Sequence, residues 1–196
     1  QHFMEMLASS GVEMEDGGLI DLWGGEPLVY WPVLQALIPM LREQFGFSVR
    51  LTIFTNGVLL TEAKTVFFCR YHVNIVISHD AQGFGLRHHE DPLNDPQIKE
   101  RWLYLWEKGA EAGVVPAFFA VLNPLNCDLR AMRQFFDGAF FPGVRFEIGG
   151  TPSETESLPT DCLLTEANVE TLKQSFLWAM TQPEYAWGGI RRRVYN

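Results

Sequence analysis

Five short groups of small and polar residues recur along the chain, each where an apolar run stops. They are Gly24-Gly25-Glu26-Pro27, Thr55-Asn56-Gly57, Ser78-His79-Asp80-Ala81-Gln82-Gly83, Asn123-Pro124-Leu125-Asn126 and Gly149-Gly150-Thr151. Together they offer carboxylates, amides, hydroxyls and bare glycine backbone that a ligand can approach closely. Carboxylate and carbonyl oxygens are acceptors for an ammonium group or a metal-bound amine, and hydroxyls and amides suit a carboxylate or a sugar. Turn chemistry explains any one group taken alone, because chain reversals need Gly, Pro, Asn and Ser. Five in succession favour one composite ligand site.

The elements that position these groups are legible from periodicity. Leu19–Trp23 reads as a buried strand. A helix over Pro32–Phe45 follows, with Val33, Leu34, Leu37, Ile38 and Leu41 at helical spacing, Pro39 as a kink or break, and Gly46 as its stop. Val49–Phe54 is the second strand, and Thr61 caps a short helix to Arg70. Val73–Ile77 is the third strand, followed by a long polar loop. Asp95 then caps a helix with Pro96 in its first position, Ile98, Trp102, Leu105 and Trp106 on one face, and Gly113 at its end. Val114–Leu122 is the fourth strand; a helix near Leu129–Asp137 leads to the fifth, Val144–Ile148. Thr165 caps a last helix with a stripe of Val169, Leu172, Phe176 and Met180. Alternating strands and helices at this spacing predict parallel strands with right-handed crossovers in an α/β fold. Ligands then collect at the carboxyl ends of the strands, which is where the five groups lie.

Composition narrows the function. The 196 residues read as one domain, 47% hydrophobic, with a net charge of −9. No basic stripe is present, so a nucleic-acid partner is not expected, and Arg191-Arg192-Arg193 reads as a solvated tail. No apolar stretch approaches the roughly 20 residues that span a bilayer, and no signal peptide is evident. Cys69, Cys127 and Cys162 are odd in number and far apart, which fits a reducing cytoplasm and structural thiols rather than disulfides. His88-His89-Glu90-Asp91 looks like a metal run, but adjacent side chains rarely converge on one ion, and a polar loop explains it equally well; Arg87 beside it is a candidate for reaching over a substrate. Ser78-His79-Asp80 is no hydrolase triad, since neighbouring side chains diverge. The tryptophans read as packing residues.

The ordered string of GGEP, TNG and Ser-x-Asp-x-x-Gly at successive strand ends resembles the radical S-adenosylmethionine (SAM) enzymes, and within them the sulfatase-maturing and peptide-modifying group. The resemblance spans Leu19 to about Met180. It implies a partial TIM-like (β/α)6 barrel, of which about five parallel strands with flanking helices are present here. It implies SAM as cofactor, cleaved reductively to a 5′-deoxyadenosyl radical that takes hydrogen from substrate. By position, Gly24, Gly25 and Glu26, followed by Pro27, would receive the methionyl amino group. Ser78 would bond the SAM carboxylate or ribose, with Asp80 nearby. Thr55 and Asn56 would line the floor near the methionine. Asn123 and Asn126 would lie near ribose and adenine, with Leu122 and Ile148 packed on adenine. A peptide, protein or small-molecule substrate is implied, as is an electron donor such as flavodoxin or ferredoxin.

One departure stands out. The family holds a 4Fe–4S cluster with CxxxCxxC after its first strand, and neither that strand nor that spacing occurs here. The five strands match the family's second to sixth. Because the chain begins with Gln1, the expectation is a piece of a longer protein whose cluster segment lies upstream. Two other readings stay open: a decayed, non-catalytic barrel that binds SAM or a partner protein, and an unrelated TIM-like metabolic enzyme with Gly149-Gly150-Thr151 as a weak phosphate loop.

Overall fold

The five strands run parallel and lie side by side in the order in which they occur in the chain, β1-β2-β3-β4-β5. The structure, a computed structural model, describes residues 17–86, 90–149 and 162–182. The strands are β1 (Leu19–Leu22), β2 (Arg50–Thr55), β3 (Val73–Ser78), β4 (Ala117–Ala120) and β5 (Phe146–Ile148). The helices are α1 (Trp31–Phe45), α2 (Glu62–Arg70), α3 (Pro96–Ala112), α4 (Leu129–Ala139) and α5 (Glu166–Ala179). With every crossover right-handed, sequential strand order puts all helices on one face, the winding of a TIM-like barrel rather than of a doubly wound sheet.

Strand alternation gives the sheet two unlike faces. Leu51, Ile53, Val73, Ile75, Ile77, Phe118, Phe146 and Ile148 point to the helices and join one apolar core with Leu34, Ile38, Leu41, Phe68, Trp102, Leu105 and Phe136. The intervening residues line the opposite, concave face.

Helix boundaries follow the caps read from sequence. The Thr61 hydroxyl accepts from the Lys64 N–H, the Asp95 carboxylate from Gln97 and Ile98, and Thr165 forms a reciprocal capping box with Asn168. Gly46 and Gly113 end α1 and α3 at φ of 66° and 70°, where other residues are strained. Pro39 does not split α1, which runs unbroken through it and buries Ile38 and Leu41 on either side. β4 is shorter than the apolar run that encodes it. Val114 bonds back to Gly109 at the end of α3, Pro116 has no N–H to give, and the Val121 N–H goes to the Asp80 carboxylate instead of the ladder. β5 likewise begins at Phe146 rather than Val144. In α5 the buried positions are the small Ser175 and Ala179, while Val169 and Met180 of the expected stripe are exposed.

A buried arginine organises the amino-terminal edge of the sheet. Arg42 donates to the carbonyls of Gly46, Val49, Tyr71 and His72, and so ties the end of α1 to the starts of β2 and β3. Burial holds its guanidinium below its usual pKa.

Candidate cofactor site at the strand ends

The first two strand-end loops are stapled together by one carboxylate. Gly24 and Gly25 turn the chain out of β1 at φ of 124° and 52°, and nothing lies within 4 Å of a Cβ placed on either. Glu26 follows in extended conformation and caps a 3-10 turn, Pro27–Tyr30, through the Leu28 N–H at 2.9 Å. The same oxygen, Oε1, accepts from the Thr55 hydroxyl at 2.7 Å, and Oε2 accepts from the Asn56 N–H at 2.8 Å. Thr55 in turn accepts from Gly57, and the Asn56 side chain accepts from Val58. A carboxylate has about four lone-pair sites. The one left on Oε2, with the open glycine backbone beside it, is what this loop offers a cation. Pro27 is buried under the turn.

The third and fourth loops form a closed knot. Ser78 ends β3 with its side chain exposed, but His79 and Asp80 turn inward. The Asp80 carboxylate accepts from the Val121 N–H at 2.8 Å. Asn126 donates to the carbonyls of Asp80 and Val121 and accepts from the Asn123 N–H. Asn123 accepts from Leu125 and donates to Gly83, whose missing Cβ makes room for that amide. Both asparagines are completely buried, so their side chains hold the loop in shape. Leu122 and Ile148, placed on adenine by the resemblance, belong to the core on the helix side. Ile148 is one residue out of phase with Glu147 and Gly149, which do line the concave face.

His79 is a partner that spacing did not reveal. Its Nδ1 accepts from the Ala81 N–H, so the ring proton is on Nε2 and points at the Asp91 carboxylate, 2.9 Å away. The imidazole stacks on Phe84 and sits among Trp102, Phe118, Phe135 and Phe136. Burial alone would raise the Asp91 carboxyl, but the His79 bond and the Leu93 N–H outweigh it and hold the carboxyl below its usual value. Asp91 is thus a latch for the loop after β3. Arg87, His88 and His89 lie outside the described residues, as do Gly150 and Thr151.

Below the rim lies a concavity of about 590 Å³, lined by residues from all five strands. Its upper wall is aromatic. Trp23 stacks on Phe54 at 4.5 Å between centroids, and both meet the edge of Phe119. Its floor is polar: Asp21, Arg50, Thr52, Asn74, Arg145 and Glu147. Arg145 pairs with Glu147 at 2.6 Å. Burial raises the Asp21 carboxyl above its usual value; the Thr52 hydrogen bond opposes this, Glu147 reinforces it, and Arg50 weakly opposes it.

Cys69, Cys127 and Cys162 are all buried, one in α2, one between β4 and α4, and one before α5. Among the described residues no three His, Cys, Asp or Glu side chains are grouped to hold a metal. The described residues do not fit a 4Fe–4S cluster. Exposed glycine backbone, a carboxylate with a lone pair to spare and an exposed serine share the carboxyl edge of the sheet.

A strand-end site on sequentially wound parallel strands is the architecture of partial TIM-like barrels, and comparison with known proteins places the fold among radical SAM enzymes. Over 86% of its length the chain superposes on 48% of anSMEcpe, solved with AdoMet and the Kp18Cys peptide, at a TM-score of 0.60 and 15% identity. It covers 37% of Streptococcus suis SuiB bound to S-adenosylmethionine at a TM-score of 0.56 and 17% identity, with 84% of this chain matched. A radical SAM methyltransferase from Sphaerobacter thermophilus matches at 0.56 and 19% identity, over 91% of this chain and 52% of that one. In sequence, 72 residues, or 37% of the chain, are 26% identical to the radical SAM cyclopropyl synthase TigE of Paramaledivibacter caminithermalis, over 15% of that protein. No protein-family model matches the chain. The chain therefore spans 37% to 52% of the length of these structures, and a much smaller part of its curated relative. The expected partial barrel agrees with the fold of these neighbours.

Proposed function

We propose that this chain is the SAM-binding part of a radical SAM enzyme that acts on a peptide or protein. The observation that carries the reading is the alignment of GGEP, TNG and Ser-x-Asp on adjacent carboxyl ends of β1, β2 and β3, in a fold shared with enzymes solved with SAM bound. In this reading the Gly24 and Gly25 carbonyls and the free lone pair of Glu26 receive the methionyl ammonium, while Ser78 donates to the carboxylate or ribose. Thr55 and Asn56 act through Glu26, by fixing its carboxylate. Asp80, Asn123 and Asn126 act one step back, by fixing the loop that presents Ser78. Leu122 and Ile148 support the sheet from its other side.

SAM would supply the 5′-deoxyadenosyl radical, and hydrogen abstraction from substrate would follow. A 4Fe–4S cluster in the whole protein would take its thiolates from outside the described residues. An electron donor of the flavodoxin or ferredoxin kind and a cytoplasmic location belong to the same reading. Among the described residues no helix is long and apolar enough to cross a membrane.

The test is SAM binding and 5′-deoxyadenosine formation by the full-length gene product carrying Glu26→Gln together with Gly25→Ala. Loss of SAM affinity is the expected result. Unchanged affinity and unchanged cleavage overturn the site. Anaerobic iron and sulfide analysis of the same protein is expected to give a cluster, and a cluster-free protein that still binds SAM favours the decayed barrel.

A further inference from the structure

The concave chamber contains a recognition element that the SAM reading leaves unused. Trp23, just after β1, is 67% exposed; within β1 only Ile20 and Leu22 pack against the core. One face of its indole is taken by Phe54 at an interplanar angle of 15°, and Phe119 braces the pair edge-on. Phe119 is itself seated by Gly149, where a Cβ would come within 2.8 Å of its ring. The indole is therefore held rigid while much of its surface stays open.

Asp21 stands two residues earlier on the same face, roughly 7 Å down the strand. It is not one of the ion-paired carboxylates among the described residues, whereas Glu147 across the chamber is already matched by Arg145. Asp21 bonds the neutral Thr52 hydroxyl; burial and the like charge of Glu147 disfavour its bare carboxylate, and against them stand that hydrogen bond and, more weakly, the charge of Arg50. A cation placed between Asp21 and the indole would relieve that repulsion. An open indole surface and a carboxylate that line one concavity two residues apart form a cradle in which a planar cation stacks on the ring and donates to the oxygens.

We infer that Trp23 and Asp21 form a specificity pocket for a cationic side chain of the peptide substrate, best matched by the guanidinium of arginine. This rests on the proposed function for the identity of the partner as a peptide, and it adds which residue that peptide presents. The pocket is carried by β1 and braced by β2 and β4, so a cation seated there lies just below the strand-end rim where SAM is placed.

The experiment uses the full-length gene product and N-acetyl-arginine amide as probe, with N-acetyl-citrulline amide as its uncharged isostere. Binding is read from the tryptophan indole N–H resonances, the Trp23 signal being assigned from Trp23→Phe, with and without saturating SAM. Expected is a shift of the Trp23 signal with the arginine probe and at least tenfold weaker binding of the citrulline probe. Asp21→Asn, which keeps the side-chain shape and an acceptor for Thr52, is expected to weaken the arginine probe at least tenfold. Trp23→Ala is expected to abolish binding, with SAM affinity as the check that each variant is folded. Equal binding of the two probes, an unaffected Asp21→Asn, or displacement of the arginine probe by SAM overturns the inference. SAM binding without arginine binding sinks this pocket and leaves the proposed function standing. Arginine binding without SAM binding keeps the pocket and sinks the proposed function.

Discussion

The two halves of the strand-end rim use the same residue types for opposite purposes. At β1 and β2 one carboxylate, Glu26, gathers three donors yet keeps an oxygen lone pair near open glycine backbone. At β3 and β4 a carboxylate and two amides, Asp80, Asn123 and Asn126, face inward and pair with backbone groups of the two loops. The first half is a staple with a free edge; the second is a knot. The difference teaches that a polar residue at a strand end is a ligand group only when its own loop leaves it an unspent donor or acceptor.

The largest effect expected from breaking this contrast is in the knot. Asn126→Ala strands the Asn123 N–H and the carbonyls of Asp80 and Val121, and should lower stability by about 3 kcal/mol, as expected for several buried groups left unpaired. Urea denaturation measures it, and a loss well under 1 kcal/mol would mean that the knot is not closed. Gly57→Ala comes next. It adds a Cβ 2.7 Å from the Trp102 indole nitrogen at a φ of 72°, and it disturbs the bond from that nitrogen to the Gly57 carbonyl. Roughly 2 kcal/mol is expected from overpacking and backbone strain combined.

Glu26→Gln tests the staple. It keeps the volume but replaces one accepting oxygen with a donor, facing either the Asn56 N–H or the pair on Oε1. A stability loss of about 1 kcal/mol is expected for the exchanged charge-assisted bonds. SAM affinity should fall at least about tenfold, equivalent to ~1.4 kcal/mol. A variant that loses stability but keeps SAM affinity would make Glu26 structural only, and the two halves of the rim alike.

The smallest effect is the pH dependence of the Asp91 latch. Its carboxyl titrates lower in the folded state than in the unfolded chain, so the unfolded chain binds the proton first. The stabilisation is fully present above the usual carboxylate value and fades as pH falls through the lower, folded one. Asp91→Asn should remove that part of the acid-side slope and leave the slope above about pH 5 unchanged. Asp21 has the opposite sign: its folded carboxyl is raised, so stability rises as pH falls through that window, and Asp21→Asn should flatten that rise.

Much of this architecture was legible in the chain. Alternation of apolar runs with capped helical stretches dictated the order of elements, because caps and glycine stops at Thr61, Asp95, Gly46 and Gly113 are local chemistry. The four polar groups that the structure describes in full at the ends of β1 to β4 were legible for the same reason. Local signals did not determine which way each side chain faces. Ile148 differs from the chamber-lining Glu147 and Gly149 by one step of a two-residue period, and β4 stops early only because Asp80, 41 residues away from Val121, claims its N–H. Tertiary structure alone joined Glu26 to Thr55 and Asn56 across about thirty residues, set His79 on Asp91, and left Trp23 exposed where every tryptophan had read as packing. Periodicity and capping depend on neighbours a few residues apart, so the sequence determines them by itself. The state of a donor or acceptor at the site depends on partners brought in by the crossovers, and only the folded sheet decides which of them remain free.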